Sequence, residues 1–301
     1  MLQKLWQQCC KYSVGLTNHH IYHPAIPLLW QRTVADSVGH IPFLLPDGVS
    51  ETEYSFAGRD VCCFNADNSQ NDGVIAFFHG GGFTTGSITS HRPMCRHLAK
   101  VSQMPIYSVD YRLAPEHPFP AALDDVEAVV LSLLQTLNID AGKLILAGDS
   151  AGGNLALAAA KRLQIQQKQP AALILLSPWV EPMDTRLTWR FDPVINPLWG
   201  IMSAQAYRGE AEDRNPEFAP IYADLAGLPP ILLQVGREEI LLPQIERLAN
   251  KLQEANVPLT FEIYDYLWHS GQMSASINPV ATEAVKSCGE FVQNIRRNRQ
   301  K

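Results

Sequence analysis

Short apolar runs alternate with longer amphipathic segments from about Val61 to the end of the chain. Several of these runs are apolar throughout, which is typical of strands that are covered on both faces. The predicted strands are VCCFNA, VIAFFHG, PIYSVDYR, KLILAGDS, AALILLSP, ILLQVG and LTFEIYD.

Helical patterns lie between these strands. Apolar residues recur at helical spacing from about Pro120 to Leu137, and AGGNLALAAAKRL is rich in Ala and Leu. Further helices are predicted over PQIERLANKLQEA and at the end of the chain. Because strands and helices alternate, the sequence predicts the α/β class, with a mostly parallel central sheet flanked by helices on both faces.

Two segments interrupt this alternation. The first is residues 1 to about 45, and the second runs from about Val180 to Leu228 without a strand pattern. An insertion of that length is too long for an ordinary loop. Ligands of α/β proteins bind at the carboxyl ends of the strands, so we expect both segments to form a cap there. The bulky aromatics Trp189, Phe191 and Trp199 indicate a closed pocket beneath it, and the alternative is that they form the core of the cap itself.

Composition and charge exclude several classes of protein. The chain has 301 residues, of which 46% are hydrophobic and 18% charged, as in ordinary globular proteins. The net charge of −6 without a long basic block argues against nucleic acid as a partner. No stretch approaches the roughly 20 apolar residues of a membrane span. The N-terminal MLQKLWQQCCKYSVGL is interpreted as a helix packed on the protein, with an interfacial helix as the alternative and a signal peptide disfavoured.

The cysteines indicate neither a disulfide framework nor a zinc site. The chain has six, and their spacing does not match paired CxxC ligands. We interpret them as free thiols in a reducing compartment, which predicts a cytoplasmic protein without a metal. The residues are Cys9, Cys10, Cys62, Cys63, Cys95 and Cys288.

The stretch KLILAGDSAGGNLALAAA contains a candidate nucleophile. It reads as a strand, then G-D-S-A-G, then a helix, which is the context that a nucleophile elbow requires. Gly148 and Gly152 leave room for the helix to turn back on the strand, so Ser150 would lie exposed at the tip. The alternative is an ordinary serine at a glycine-lined helix start.

A serine nucleophile needs a base and an acid, which follow it along the chain in this arrangement. Of the nine histidines, eight precede Ser150, so His269 is the single candidate for the base. The acid is expected after the strand ILLQVG, where Glu238 and Glu239 stand, and Asp265 is a further candidate.

The segment HGGGFTTGS follows the strand VIAFF and suits an oxyanion hole. Backbone N–H groups are rigid donors for the negative oxygen of a tetrahedral intermediate, and glycine lets them approach the substrate closely. Gly81 and Gly82 are the expected donors, together with the N–H of Ala151. A phosphate-binding loop is the rival interpretation, but the segment lacks GxxxxGK[ST].

Together these motifs resemble the hormone-sensitive-lipase-like esterases, bacterial lipase family IV of the α/β-hydrolase fold. The matching stretches are HGGGF at 79–83, DYRLAPEHPFPAALDD at 110–125, GDSAGGNLA at 148–156 and LLSPW at 175–179, and they occur in the family's order. The resemblance covers at least residues 60–275. It implies an α/β-hydrolase domain, formed by residues 46–179 and 229–301, and a helical cap, formed by residues 1–45 and the insertion 180–228.

The resemblance also implies roles for individual residues. Ser150 matches the nucleophile and His269 the base. The family's acid motif D-P-L-x-D is replaced here by E-I-L-L-P, which puts Glu239 at the position of the acid. The oxyanion donors match Gly81, Gly82 and Ala151, and the residues expected to line the substrate pocket are Phe83, Trp179 and Trp268.

The predicted function is that of a serine carboxylesterase acting on small esters with short or medium acyl chains through an acyl-enzyme, without cofactor or metal. An amide or N-acetyl hydrolase with the same triad is one alternative. A non-catalytic ligand-binding member of the family is another, although His269 argues against it. Relatives in this family often pair through an edge strand and the last helix, so a homodimer through LTFEIYD and the helix from about Thr282 is a further expectation.

Overall fold

A computed structural model describes residues 12, 14–70, 72–184 and 192–299 of the chain. Its described residues form one sheet of eight strands in the order β1-β2-β4-β3-β5-β6-β7-β8. The strands are β1 Val49–Phe56, β2 Arg59–Ala66, β3 Val74–Phe78, β4 Ile106–Val109, β5 Leu144–Asp149, β6 Ala172–Leu176, β7 Ile231–Gly236 and β8 Leu259–Tyr264. The predicted strands are thus confirmed, and β1 is an additional one.

The pairing of the strands brings the predicted motifs to one edge of the sheet. β1 and β2 are antiparallel to their neighbours, whereas the other strands run parallel. Phe78 of β3 is in register with Gly148 of β5, and Gly236 of β7 is in register with Tyr264 of β8. The loops that follow these four strands therefore begin at the same edge of the sheet.

Helices cover both faces of the sheet. Residues 14–21 are helical and are designated α1. The other α-helices are α2 Leu28–Val38, α3 Arg92–Ser102, α4 Ala121–Leu137, α5 Ala151–Ile165, α6 Pro197–Arg208, α7 Leu242–Glu254 and α8 Pro279–Arg299. The predicted α4, α5, α7 and α8 are confirmed.

The core consists of two apolar layers, one on each face of the sheet. Alternate residues of a strand enter opposite layers, as the pleat requires. In β3, Ala76 and Phe78 pack with buried residues of α4, α5 and α7, whereas Ile75 and Phe77 pack with those of α3 and α8. Because both faces of the central strands are buried, their sequences are apolar throughout.

The two segments that interrupt the strand–helix alternation contact each other. The Trp199 indole of α6 donates a hydrogen bond to Gln31 Oε1 of α2 at 2.8 Å, and its ring lies 5.1 Å from that of Tyr22. The Arg32 guanidinium of α2 reaches the carbonyl oxygen of Thr84 at 2.8 Å, in the loop after β3. These contacts place α2 and α6 above the edge of the sheet where the motif loops begin.

Some sequence predictions concern residues outside this description. Trp189 and Phe191, two of the aromatics expected in the cap, lie outside the described residues, as do Cys9 and Cys10. Within the described part of the chain, no helix is both long and apolar enough to cross a membrane.

Candidate active site

Ser150 occupies a strained turn between β5 and α5. Its backbone has φ 53° and ψ −119°, a conformation that a residue with a side chain rarely adopts. Close packing requires glycine on both sides of Ser150. A Cβ on Gly152, for example, would lie 1.9 Å from the carbonyl oxygen of Phe78. The Ser150 N–H donates a hydrogen bond to the carbonyl oxygen of Leu176 at 2.9 Å. The turn presents the serine side chain to a small cavity.

His269 and Glu239 form a buried pair beside this turn. His269 Nδ1 lies 2.9 Å from Glu239 Oε2. The other oxygen, Glu239 Oε1, accepts hydrogen bonds from Ser177 Oγ at 2.7 Å and from the Gly236 N–H at 2.5 Å. The carboxylate is therefore held in one orientation, with one oxygen left for the imidazole. His269 also lines the cavity that Ser150 lines.

The carboxylate alters the proton affinity of His269. Burial alone disfavours the imidazolium, but the hydrogen bond and charge of Glu239 outweigh this effect, with smaller contributions from Asp192 and Asp149. The net result is a raised pKa of His269. A histidine in this state accepts a proton readily and stabilises the positive charge that results.

Of the three acids considered from the sequence, the structure brings Glu239 to His269. The side chain of Asp265 is 63% exposed and pairs with Arg237 at 2.5 Å. Glu238 is also exposed. Adjacent residues in this turn point to different environments, which explains why one glutamate is buried at the histidine and its neighbour is not.

The loop after β3 brings Gly81 and Gly82 to the same cavity. Both have a positive φ, +112° at Gly81 and +61° at Gly82. A Cβ on Gly81 would lie 2.3 Å from the carbonyl oxygen of Thr85, and one on Gly82 would lie 2.8 Å from the Trp199 ring. Ala151 is the first residue of α5, where a backbone N–H has no acceptor within the helix. Gly81 and Gly82 thus line the cavity that Ser150 lines, and Ala151 directly follows Ser150 in the chain.

Asp149 connects the three motif loops beneath the cavity. Its carboxylate accepts hydrogen bonds from the Gly80 N–H at 2.9 Å and from Ser270 Oγ at 2.6 Å, and it lies 3.3 Å from His91 Nε2. Burial opposes its charge, but His91 and the hydroxyl donor outweigh burial and lower its pKa. Ser270 and His91 were not identified from the sequence. For Ser270, the available signal was its position next to the base.

The candidate pocket residues fall into two groups. Trp268 lines a cavity of about 600 Å³ beside His269. Phe83 and Trp179 are instead buried in the core, where the Phe83 ring stacks on Tyr207 at 3.6 Å and lies 6.0 Å from Trp179. Neither is among the residues that line this cavity or the one at Ser150. They support the site from below rather than facing it.

Two cavities therefore adjoin the histidine. The cavity at Ser150 has a volume of about 80 Å³, and Trp199 of α6 is among the residues that line it. The larger one is lined by residues of α1, of the segment 38–44 and of the segment 268–279. The described residues contain no cluster of three or more His, Cys, Asp or Glu side chains arranged to bind a metal ion. The residues common to both cavities are Tyr22, Val38, Val194, His269, Ser270 and Met273.

Comparison with known proteins identifies relatives of this chain. The model of the α/β hydrolase fold family matches residues 75–273. An esterase of Acinetobacter venetianus is 37% identical over 228 residues, which are 74% of this chain and 75% of the esterase. The putative acetyl-hydrolase LipR of Mycobacterium tuberculosis is 31% identical over 249 residues, 81% of this chain and 80% of LipR.

Solved structures are similar over almost the whole chain. A hormone-sensitive lipase from a metagenome library has a TM-score of 0.89 at 31% identity, covering 96% of this chain and 98% of that one. An esterase of the bacterial hormone-sensitive lipase family has a TM-score of 0.86 at 33% identity, covering 93% and 96%. The chain therefore belongs to the α/β hydrolase fold family, and within it to the hormone-sensitive-lipase-like esterases.

Proposed function

We propose that Ser150, His269 and Glu239 are the catalytic triad of this carboxylic ester hydrolase. The observation that carries the proposal is the buried His269–Glu239 hydrogen bond of 2.9 Å beside a strained serine in a shared cavity. The raised pKa of His269 supports its role as a base that becomes positively charged during the reaction.

The reaction follows from this arrangement. Ser150 Oγ attacks the ester carbonyl carbon while His269 Nε2 takes the hydroxyl proton, and Nδ1–H remains bonded to Glu239. The carbonyl oxygen becomes an oxyanion that accepts hydrogen bonds from the N–H groups of Gly81, Gly82 and Ala151. His269 then gives its proton to the leaving alcohol. Water, deprotonated by the same histidine, hydrolyses the acyl-enzyme and releases the carboxylic acid.

A fluorophosphonate probe tests the nucleophile. The wild-type protein should be labelled at Ser150, because an activated serine displaces fluoride from the probe and becomes phosphonylated. Folded Ser150→Ala protein should be neither labelled nor active, and Ser55→Ala, which changes an exposed serine of β1, should still be labelled. Labelling of Ser150→Ala to the wild-type extent would exclude Ser150 as the nucleophile.

Uncharged esters with short or medium acyl chains are the substrates that the site favours. The larger cavity is lined by apolar and neutral polar side chains, apart from His269, and the cavity at Ser150 is small. Parallel assays of p-nitrophenyl esters and aryl acetamides distinguish an esterase from an amide hydrolase. Acetamide turnover comparable with that of the esters would favour the second activity.

A cytoplasmic homodimer is the state we propose for the protein. The four cysteines in the described part of the chain are buried and unpaired, which suits a reducing compartment. β8 is an edge strand with partly exposed side chains, and an exposed edge can pair with a second copy. Light scattering at micromolar concentration tests the assembly, and a monomeric mass would contradict it.

A further inference from the structure

The two cavities at His269 differ in size and in their access to the nucleophile. The smaller one, about 80 Å³, is lined by Ser150, Gly81 and Gly82. The larger one, about 600 Å³, is lined by Trp268 and His269 but by none of those three residues. The smaller cavity thus surrounds the reacting carbon, and the larger one extends from it on the histidine side.

The chemistry of the proposed triad assigns one part of the ester to each cavity. In the tetrahedral intermediate, the carbonyl carbon carries the Ser150 oxygen, the oxyanion, the leaving oxygen and the acyl chain. The oxyanion lies at the glycine loop, and the leaving oxygen must lie close enough to His269 Nε2 to receive its proton. The alcohol group therefore extends toward the larger cavity, and the acyl chain remains in the smaller one.

Trp199 forms a fixed wall of the smaller cavity. Its indole N–H donates to Gln31 Oε1 at 2.8 Å, and the Tyr22 ring packs at 5.1 Å. The ring comes so close to the glycine loop that a Cβ on Gly82 would lie 2.8 Å from it. Both the hydrogen bond and the packing oppose a rotation that would lengthen the acyl space.

The larger cavity has the character of a site for an apolar group. Its walls include Ile41, Phe43, Leu44 and Ile277, together with neutral polar side chains. No Lys, Arg, Asp or Glu is among the described residues that line it. It can therefore bury a bulky uncharged group without desolvating a charge.

We propose that the enzyme selects esters that join a small acyl group, of acetyl to propionyl size, to a large apolar alcohol, and that Trp199 sets the acyl limit. This selectivity rests on the proposed triad. The reaction is the addition of water across the acyl–oxygen bond, which gives a short carboxylic acid and the free alcohol. It requires no further co-reactant.

Two ester series test the selectivity. In the first, the acyl chain of a p-nitrophenyl ester is lengthened from acetyl to octanoyl, and kcat/KM should fall at least about 10-fold. In the second, the alcohol of an alkyl acetate is lengthened from methyl to octyl, and kcat/KM should rise at least about 10-fold, because each methylene enters an apolar cavity. A preference for octanoyl over acetyl, or a flat acetate series, would overturn the proposal. Failure of the triad would look different, since neither series would depend on Ser150.

Variants of one lining residue in each cavity test the roles of the two cavities separately. Trp199→Ala should raise the octanoyl-to-acetyl ratio of kcat/KM at least about 10-fold and leave the alkyl acetate series nearly unchanged. Ile277→Trp, at the partly exposed wall of the larger cavity, should lower the octyl-to-methyl ratio and leave the acyl series unchanged. Each ratio is internal to one protein, so the fraction of active enzyme cancels.

A second acyl-side variant covers the case in which Trp199→Ala does not fold. Ile195 lines the smaller cavity but not the larger one, and Ile195→Ala retains the Trp199–Gln31 hydrogen bond. It should shift the acyl series in the same direction by a smaller factor. Unchanged acyl ratios in the folded variants would exclude this wall as the determinant of acyl length.

Discussion

The two sides of Ser150 contain similar groups that serve different purposes. On one side, buried His269 faces the carboxylate of Glu239, and its pKa is raised. On the other, His79 is also fully buried, but its Nδ1 bonds the carbonyl oxygen of Gly80 at 2.8 Å. Burial and the neighbouring His91 lower the pKa of His79 to about 3. Equal burial thus leaves one histidine ready to accept a proton and keeps the other neutral, because their partners differ.

The two buried carboxylates differ in the same way. One oxygen of Glu239 contacts the imidazole of His269, where it orients the ring and stabilises its protonated form. Asp149 instead accepts bonds from the Gly80 N–H and from Ser270 Oγ, which lie on two different loops. In the proposed mechanism, the His269 side therefore moves a proton, and the Asp149 side holds the loop with the backbone donors in place. Substitutions on the two sides should affect the enzyme in distinguishable ways.

The largest effect is expected when the carboxylate of Glu239 is replaced by a neutral amide. Glu239→Gln should reduce kcat by roughly 10³–10⁴-fold with little change in KM, since the amide cannot orient Nδ1–H and stabilise the imidazolium. Asp265→Asn is the matched control, because Asp265 is exposed and paired with Arg237. Steady-state kinetics on a p-nitrophenyl ester compare the two folded proteins. If Asp265→Asn were inactive and Glu239→Gln near wild type, the assignment of the acid would be wrong.

Distortion of the oxyanion side should have the next largest effect. Gly81→Ala places a methyl group 2.3 Å from the carbonyl oxygen of Thr85 at a φ of +112°, so the loop must shift. Displacement of one oxyanion donor typically lowers kcat by about 10²–10³-fold. Gly142→Ala is the control, because a Cβ there meets no atom within 4 Å. Equal kinetics for Gly81→Ala and wild type would contradict a role for this loop in transition-state stabilisation.

The sequence offers one candidate for the base of the proposed triad but three candidates for the acid. His269 could be predicted because it is the single histidine after Ser150. Glu238, Glu239 and Asp265 are equivalent in residue chemistry, and the family motif rather than the residues favoured Glu239. The structure separates them through Ser177 Oγ and the Gly236 N–H, which bond Glu239 alone among the three. Such contacts come from different loops and leave no local pattern.

Two further features of the structure could not be predicted from the sequence pattern. β1 was missed because it is an edge strand with only Val49 and Phe56 buried, so its polar sequence lacks alternation. Phe83 was expected to line the pocket. Its backbone φ of +62° accompanies a ring stacked on Tyr207 in the core. The effect of a local turn on side-chain direction is not encoded in hydrophobic periodicity.

Loss of a single donor to Asp149 should have a moderate effect. Ser270→Ala removes a 2.6 Å hydrogen bond to a buried carboxylate, which corresponds to a loss of about 1.5–3 kcal/mol in the free energy of unfolding. Ser274→Ala is the control, because its Oγ bonds the neutral carbonyl of Gly271 and should cost about 1 kcal/mol. Urea denaturation measures both. A smaller loss for Ser270→Ala than for Ser274→Ala would contradict the idea that Asp149 holds the two loops together.

The smallest expected effect is that of the Asp149 charge on the pH profile that His269 sets. Ester hydrolysis requires neutral His269, so kcat/KM should fall as the pH decreases through the pKa of this residue, which is raised above the usual 6.5. The charge of Asp149 contributes to that increase. Asp149→Asn should therefore move the acid limb of the pH profile to lower pH, by less than the loss of the Glu239 charge would, because Glu239 contributes more. Asp265→Asn should leave the limb in place, since its charge is largely screened by solvent. An acid limb that moves to higher pH in Asp149→Asn would show that the oxyanion-side carboxylate does not act on the base through its charge.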